Sequence, residues 1–226
     1  MEKKIFIVIP AFNEEKSITN VVSELLNAGY KNLIVIDDCS RDKTSEKIKQ
    51  FPVFLLRHCI NRGQGASLKT GIDFALEQGA DIIVTFDSDG QHRIEDLHDM
   101  INPVINEEAD ISLGSRFLKK TKVPFLRKIL LKGSVWVMFL FYRIKMSDAH
   151  NGFRVMSRKA AEKIDISCDR MAHASEIIEE IHRKKLNFKE IPITIKYDKE
   201  TLKKGHGSYF QAFKVLFGMI FKKIAR

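Results

Sequence analysis

The sequence predicts an α/β fold in a single domain, a mostly parallel central sheet flanked by helices. Three observations carry that expectation. Short β-branched runs alternate with helical patterns through the first half, polar and acidic clusters follow the strands, and no stretch rich in Pro, Gly or Ser divides the chain. Its 226 residues, 44% hydrophobic and 30% charged, suffice for one well-buried core.

The elements follow in order. Ile5–Ile9 reads as a first strand that meets Pro10, and Ser17–Leu26 as a helix with Ile18, Val21, Val22, Leu25 and Leu26 at helical spacing, stopped by Gly29. Strands at Leu33–Ile36, Val53–Leu56, Ile82–Phe86 and Ile111–Leu113 are separated by helices over Thr44–Gln50, Ala66–Glu77 and Glu95–Asn106. Repeated βαβ units of this kind build a parallel, right-handed sheet. The second half predicts a helix from Phe125 to Ile144, a strand near Phe153–Met156, helices near Lys159 and over Ser175–Lys184, a strand at Phe188–Ile195 and a C-terminal helix after Ser208. The expected division is one domain over 1–226, in two halves over 1–115 and 116–226.

Composition excludes several classes. The hydrophobic fraction excludes disorder, and three cysteines without C-x-x-C spacing, Cys39, Cys59 and Cys168, exclude a disulfide scaffold and fit a reducing cytosol. The apolar start is too short for a secretory signal, and the longest apolar run, Val135–Tyr142, falls far below the roughly 20 residues of a membrane-spanning helix. With 38 Lys+Arg against 29 Asp+Glu the net charge is +9, concentrated around Arg116, Lys119, Lys120, Lys122, Arg127, Lys128 and Lys132. Such an excess favours anionic partners.

Ligands of open α/β sheets sit beyond the carboxyl ends of the strands, where this sequence is acidic. Asp87-Ser88-Asp89 offers two carboxylates at a strand end, a pattern that suits a hard divalent ion bridging a diphosphate, or equally a turn. Asp37-Asp38 can accept hydrogen bonds from ribose hydroxyls or a base, whereas Asp42 reads as a helix cap. Arg62-Gly63-Gln64-Gly65 precedes a helix, its glycines reading as a tight turn or as a phosphate loop that Arg62 could face. The segment lacks the G-K-[ST] of a P-loop, and Asp87 starts no EF-hand, because His92 and His98 stand where Gly and Glu are required.

Taken together, Ile7-Val8-Ile9-Pro10-Ala11-Phe12-Asn13-Glu14-Glu15, Val35-Ile36-Asp37-Asp38-Cys39-Ser40-Arg41-Asp42, Arg62-Gly63-Gln64-Gly65 and Asp87-Ser88-Asp89-Gly90-Gln91-His92 resemble the ordered motifs of inverting family-2 glycosyltransferases. The agreement continues through Leu113-Gly114-Ser115-Arg116-Phe117, Asp148-Ala149-His150-Asn151-Gly152-Phe153-Arg154 and Glu190-Ile191-Pro192-Ile193. Within the family the likeness is to dolichyl- and undecaprenyl-phosphate sugar synthases and small polysaccharide-assembly transferases. The resemblance implies a GT-A fold and Mg²⁺ or Mn²⁺ as cofactor. It implies nucleoside contacts from Pro10, Ala11, Phe12 and Glu14, donor contacts from Asp37, Asp38, Arg62, Asp87 and Ser88, and metal ligation by Asp87, Asp89 and Gln91. Arg116 matches a position that meets an acceptor phosphate, and Asp148 and Glu176 join it as catalytic candidates. Asn151 departs from the Ser or Thr of many polyprenyl-phosphate enzymes, and the absence of Q-x-x-R-W speaks against a processive polymer synthase.

Glu176 is either a general base for a sugar hydroxyl or a first-turn carboxylate complementing a helix dipole, and a lipid-phosphate acceptor needs no base. The helix bearing Trp136, Phe139, Leu140 and Tyr142 packs on the sheet or lies at a bilayer interface. Phe210, Phe213, Phe217 and Phe221 pose a similar choice between a core or homodimer contact and a membrane surface. The expected partners are a nucleoside diphosphate sugar, a polyprenyl-phosphate or glycan acceptor and an anionic membrane surface, without nucleic acid, at the cytoplasmic face. A non-catalytic membrane- or partner-binding module and a sugar nucleotidyltransferase are the rival readings. The nucleotidyltransferase would carry a Gly-rich basic loop after the first strand, which this chain lacks.

Overall fold

The computed structural model describes residues 3–119, 132–133, 135–136, 139–140, 143–149, 151–170 and 172–196. Along the chain come β1 (Ile5–Ala11), α1 (Ile18–Asn27), β2 (Leu33–Asp37), α2 (Thr44–Ile48), β3 (Phe54–Arg57), α3 (Gln64–Glu77), β4 (Ile82–Thr85), α4 (Asp96–Ile105) and β5 (Ile111–Ser115). The second half adds β6 (Arg154–Ser157), α5 (Arg158–Lys163), α6 (His173–Arg183) and β7 (Phe188–Pro192).

These strands form one sheet in the order β3-β2-β1-β4-β6-β5-β7. Strands β3, β2, β1 and β4 run parallel, as the alternating helices require. The sheet is mostly parallel, as expected, with one exception: β6 is antiparallel to both β4 and β5, while β7 returns parallel to β5. The reason is connectivity. β6 enters from the loop at the carboxyl ends of the strands rather than through a crossover helix, so it runs back down the sheet.

Two apolar layers hold the sheet. On one face Val8, Ile34, Ile36, Ile83 and Leu113 meet Leu68 and Ile72 of α3 and Ile177 and Ile181 of α6. On the other, Ile7, Ile9, Val35, Val84 and Val155 meet α1 and α4. Strands buried on both faces read as continuous apolar runs, which is why β1, β2 and β4 were legible.

Two elements end earlier than their apolar patterns suggest. β7 stops at Pro192, and Ile195 makes only an isolated bridge to His92. Residues 143–146 are non-helical, with Arg143 in the left-handed region at φ 57°. The predicted helix over 125–144 lies mostly outside the described residues, although Lys132, Gly133, Val135, Trp136, Phe139 and Leu140 are helical. The C-terminal helix and its phenylalanines lie wholly outside them, as do His150 and the basic residues Lys120, Lys122, Arg127 and Lys128.

Candidate active site

Four loops meet beyond the carboxyl ends of β1, β2, β3 and β4. Two are stitched by reciprocal bonds: the Asn13 amide donates to Ser40 Oγ at 2.9 Å, and the Arg41 amide to Asn13 Oδ1 at 2.9 Å. Glu14 and Glu15 amides donate to Thr44 Oγ1 and Asp42 Oδ2. Asp42 also accepts the Thr44 amide at 3.0 Å, standing one residue before Lys43, which occupies the N-cap position of α2. Asn13 and Cys39 hold φ of 56° and 61°, conformations that side-chain-bearing residues adopt at some cost and that here turn both loops toward one edge.

Asp38 organises the third loop. Its Oδ1 accepts from His58 Nδ1 at 2.8 Å and the Arg62 amide at 2.9 Å, and its Oδ2 from Asn61 Nδ2 at 2.9 Å and the Gly63 amide at 2.6 Å. His58 Nε2 in turn lies 3.0 Å from Thr70 Oγ1 on α3. Both carboxylate oxygens are thus engaged by the protein. Asp37 is wholly buried, accepting the Ser40 amide at 2.9 Å while Arg57 Nε lies 3.1 Å from its other oxygen.

The glycines of this loop make room for a neighbour. Gly63 has φ 101°, and a Cβ on Gly65 would lie 1.9 Å from the Cys168 carbonyl oxygen. That approach lets the Ala66 amide donate to Asp169 O at 3.0 Å, and Arg62 Nη2 reaches Asp169 Oδ1 at 3.0 Å. Arg62 is spent on a partly exposed ion pair across the cleft.

Asp87 and Asp89 stand at the end of β4. Gln64 Nε2 donates to Asp87 Oδ1 at 2.9 Å, and His92 Nε2 lies 2.9 Å from Oδ2. A Cβ on Gly152 would come within 2.7 Å of the same carboxylate, so only glycine leaves space for it. Burial works against the Asp87 charge, yet the His92 hydrogen bond and the charges of His92 and Arg154 hold it below the usual carboxylate range. Asp89 is pushed up to about 6, by burial first and by the charge of Asp87 second. Its oxygens accept from the Gln91 amide at 3.0 Å and from Gln91 Nε2, so Gln91 serves Asp89 directly. His173 Nδ1 lies 2.8 Å from Arg170 O, and burial lowers its imidazole to about 4, leaving it neutral.

Just beyond β5, Arg116 is buried and closes a bidentate pair with Asp148, Nε to Oδ2 at 2.7 Å and Nη2 to Oδ1 at 2.8 Å. Glu190 on β7 fixes the segment carrying Asp148 by accepting from the Ser147 and Asp148 amides at 2.8 and 3.1 Å. Glu176 in the first turn of α6 accepts from the amides of Ser167 and Cys168 at 3.1 and 2.9 Å and from Ser167 Oγ. Its carboxylate pins a loop.

The structure therefore brings Phe12, Glu14, Asp38, Asp87, Ser88 and Asp89 to one edge, while Pro10 and Ala11 are buried within β1, paired with Ile36 and Asp37. Phe12 is exposed and Ser88 buried. Sequence reading assigned no role to His58, Asn61, Gln64, His92, Arg154 or Glu190. The last four stood inside quoted motifs, but only the fold shows what they touch.

The family model for Glycosyl transferase family 2 matches residues 6–165. An uncharacterized protein of Methanocaldococcus jannaschii is 39% identical over 226 residues, covering 98% of this chain and 93% of that protein. A UDP-N-acetylglucosamine–dolichyl-phosphate N-acetylglucosaminyltransferase of Methanococcus voltae is 32% identical, covering 100% of this chain and 98% of that protein. Among solved structures, glucosyl-3-phosphoglycerate synthase of Mycobacterium tuberculosis, in complex with Mn²⁺, UDP and phosphoglyceric acid, superposes with a TM-score of 0.72 at 16% identity over 96% of this chain and 78% of that one. That likeness shows a GT-A fold. With the family model spanning most of the sheet and its loops, the chain belongs to glycosyl transferase family 2 and is a glycosyltransferase.

Proposed function

We propose that this glycosyltransferase moves a sugar from a nucleoside diphosphate sugar to a polyprenyl phosphate, in a metal-dependent inverting displacement at a membrane surface. The observation that carries the reading is the pair of carboxylates just beyond β4, where Asp87 is held in its charged form and Asp89 is pushed up to about 6 by burial and by the charge of Asp87, among the loops at the carboxyl edge of the sheet. The likeness to the dolichyl-phosphate transferase, which extends over both whole chains, supports the donor and acceptor classes.

Asp87 and Asp89 fit Mg²⁺ or Mn²⁺. They are hard oxygen donors, and the Asp89 carboxylate suffers from burial and from the charge of Asp87, a cost a cation relieves. When bound, such an ion offsets the charge that develops on the leaving diphosphate.

The protein's own groups do the rest. His92 and Gln64 aim Asp87, Gln91 aims Asp89, and Asp38 shapes the 58–63 loop against which the nucleoside lies. Asp148 presents the Arg116 guanidinium in one orientation toward the acceptor phosphate, and holding both reactants in line supplies much of the rate. Glu176 is engaged by Ser167 and Cys168, an arrangement that favours an acceptor already ionised over one that needs a base.

The test is transfer from UDP- and GDP-sugars with Mn²⁺ to a short polyprenyl phosphate, with the corresponding polyprenol and a free glycan as alternative acceptors. Product on the phosphate alone is expected. Product on the glycan alone would move the acceptor to the hydroxyl class, and no product with any donor would favour a non-catalytic module.

A further inference from the structure

One buried cation lies behind the carboxylate pair. Arg154 begins β6, where it pairs with Thr85 of β4 and Leu113 of β5, and its side chain shares their sheet face beneath α6. It is only 1% exposed. For so costly a burial it is poorly satisfied: Nη2 reaches Ala174 O at 3.4 Å, and Nη1 has no hydrogen-bond partner among the described residues. Ala174 lies in the first turn of α6, where the helix dipole opposes a positive charge. What favours the guanidinium is the charge of Asp87 and Asp148, and although burial pulls it down to about 10 it stays charged at neutral pH.

A hydrophobic side chain would fill this position at lower cost. The charge has a consequence for the site in front of it. Asp87 and Asp89 present two negative charges, and the Arg154 guanidinium cancels one from behind, at a place from which it cannot swing forward to touch a ligand. A divalent ion alone then meets a weakened anionic field, whereas a diphosphate arriving with it is attracted by the same guanidinium.

We propose that Arg154 is a positioning residue that lowers the affinity of the Asp87–Asp89 pair for a free divalent ion and raises it for a nucleoside diphosphate, so that metal and nucleotide are taken up together. The inference rests on the metal–diphosphate reading of this site. It makes uptake cooperative, because each ligand supplies the charge the other needs.

The wild-type chain provides the first measurement. Free Mn²⁺ followed by electron paramagnetic resonance, with and without saturating UDP or GDP, is expected to bind at least about a hundredfold more tightly with nucleotide. Coupling below about threefold, with both ligands still bound, overturns the inference alone. A chain that binds neither Mn²⁺ nor its nucleotide complex overturns the reading and the inference together. The second measurement compares Arg154→Met, Arg154→Lys and wild type. The Met variant is expected to melt no lower than wild type, to bind free Mn²⁺ about tenfold more tightly and to bind metal-free nucleotide more weakly, with Lys restoring wild-type values. A purely structural role would not tighten metal binding. A Met variant that melts as wild type with free Mn²⁺ affinity unchanged or reduced overturns the inference, and if that variant fails to fold, the wild-type coupling decides it.

Discussion

Arg116 and Asp148 lie 32 residues apart in sequence, yet their side chains close two nearly parallel bonds of 2.7 and 2.8 Å, and the Arg116 amide donates to the same carboxylate at 3.2 Å. Planar guanidinium and carboxylate match only in this fork geometry, so a lysine cannot reproduce it. Arg116→Lys is accordingly expected to lower transfer to a polyprenyl phosphate by about tenfold or more, chiefly through the acceptor KM. Unchanged steady-state kinetics in this variant would remove Arg116 from the acceptor side.

Glu176→Gln is expected to behave oppositely. The amide oxygen of glutamine can still accept the Ser167 and Cys168 amides, and an ionised acceptor requires no proton removal. Transfer to a lipid phosphate should stay within about threefold of wild type, against the roughly 10²–10⁴ lost when a general base is removed. A loss of that size, with an unchanged melting temperature, would restore Glu176 as a base.

Asp89 links activity to pH. With its carboxyl raised to about 6, it is ionised and ready for a metal above that pH and increasingly protonated below it. Mn²⁺ uptake is therefore expected to weaken by up to about tenfold per pH unit on acidification below 6. Stability runs the other way: a folded-state pKa above the unfolded one destabilises the metal-free protein as pH rises through 6. Asp89→Asn should raise the metal-free melting temperature at pH 7.5 by about 2–4 °C and abolish metal-dependent nucleotide binding. Calorimetry and thermal melts of one preparation check both halves.

Gly65→Ala tests the contact between the two halves of the cleft. The added methyl would meet the Cys168 carbonyl at 1.9 Å, a backbone atom that cannot move alone. A cost of about 1–3 kcal/mol is expected, typical of overpacking, together with faster hydrogen exchange at the Ala66 amide. Wild-type stability would mean that the 168–170 loop is free to retreat.

Trp136 is the only tryptophan of the chain and is 64% exposed, on a helical segment with Phe139 and Leu140 also exposed. If this face meets lipid, its fluorescence should shift to the blue on anionic vesicles at low salt and revert as salt screens the attraction over about 8 Å at physiological ionic strength. An unchanged spectrum on anionic vesicles at low salt would exclude Trp136 from the contact.

The first half was legible because its strands are apolar on both sides and its helices carry one apolar stripe, so composition and period agree at every element. The acidic clusters after β2 and β4 were legible for the same reason, since they interrupt nothing and so mark the strand ends. Local pattern could not show occupancy. Asp38, Arg116 and Glu176 are charged residues in the right motifs, but whether each faces a ligand or another part of the chain depends on partners 8 to 32 positions distant. β6 was equally opaque in direction, because four residues of strand carry no mark of which way they run.

That reversed strand also constrains how the molecule comes into being. β6, from residues 154–157, is the strand that joins β4 to β5 within the sheet, and both are made much earlier. A nascent polypeptide halted on the ribosome before Ser157 is therefore expected to hold β4 with one bare edge and β5 without a neighbour, so the sheet closes late and all at once. A fragment ending at residue 115 should fail to fold on its own, and adding a separate 116–226 fragment should restore it only if the two anneal strand by strand.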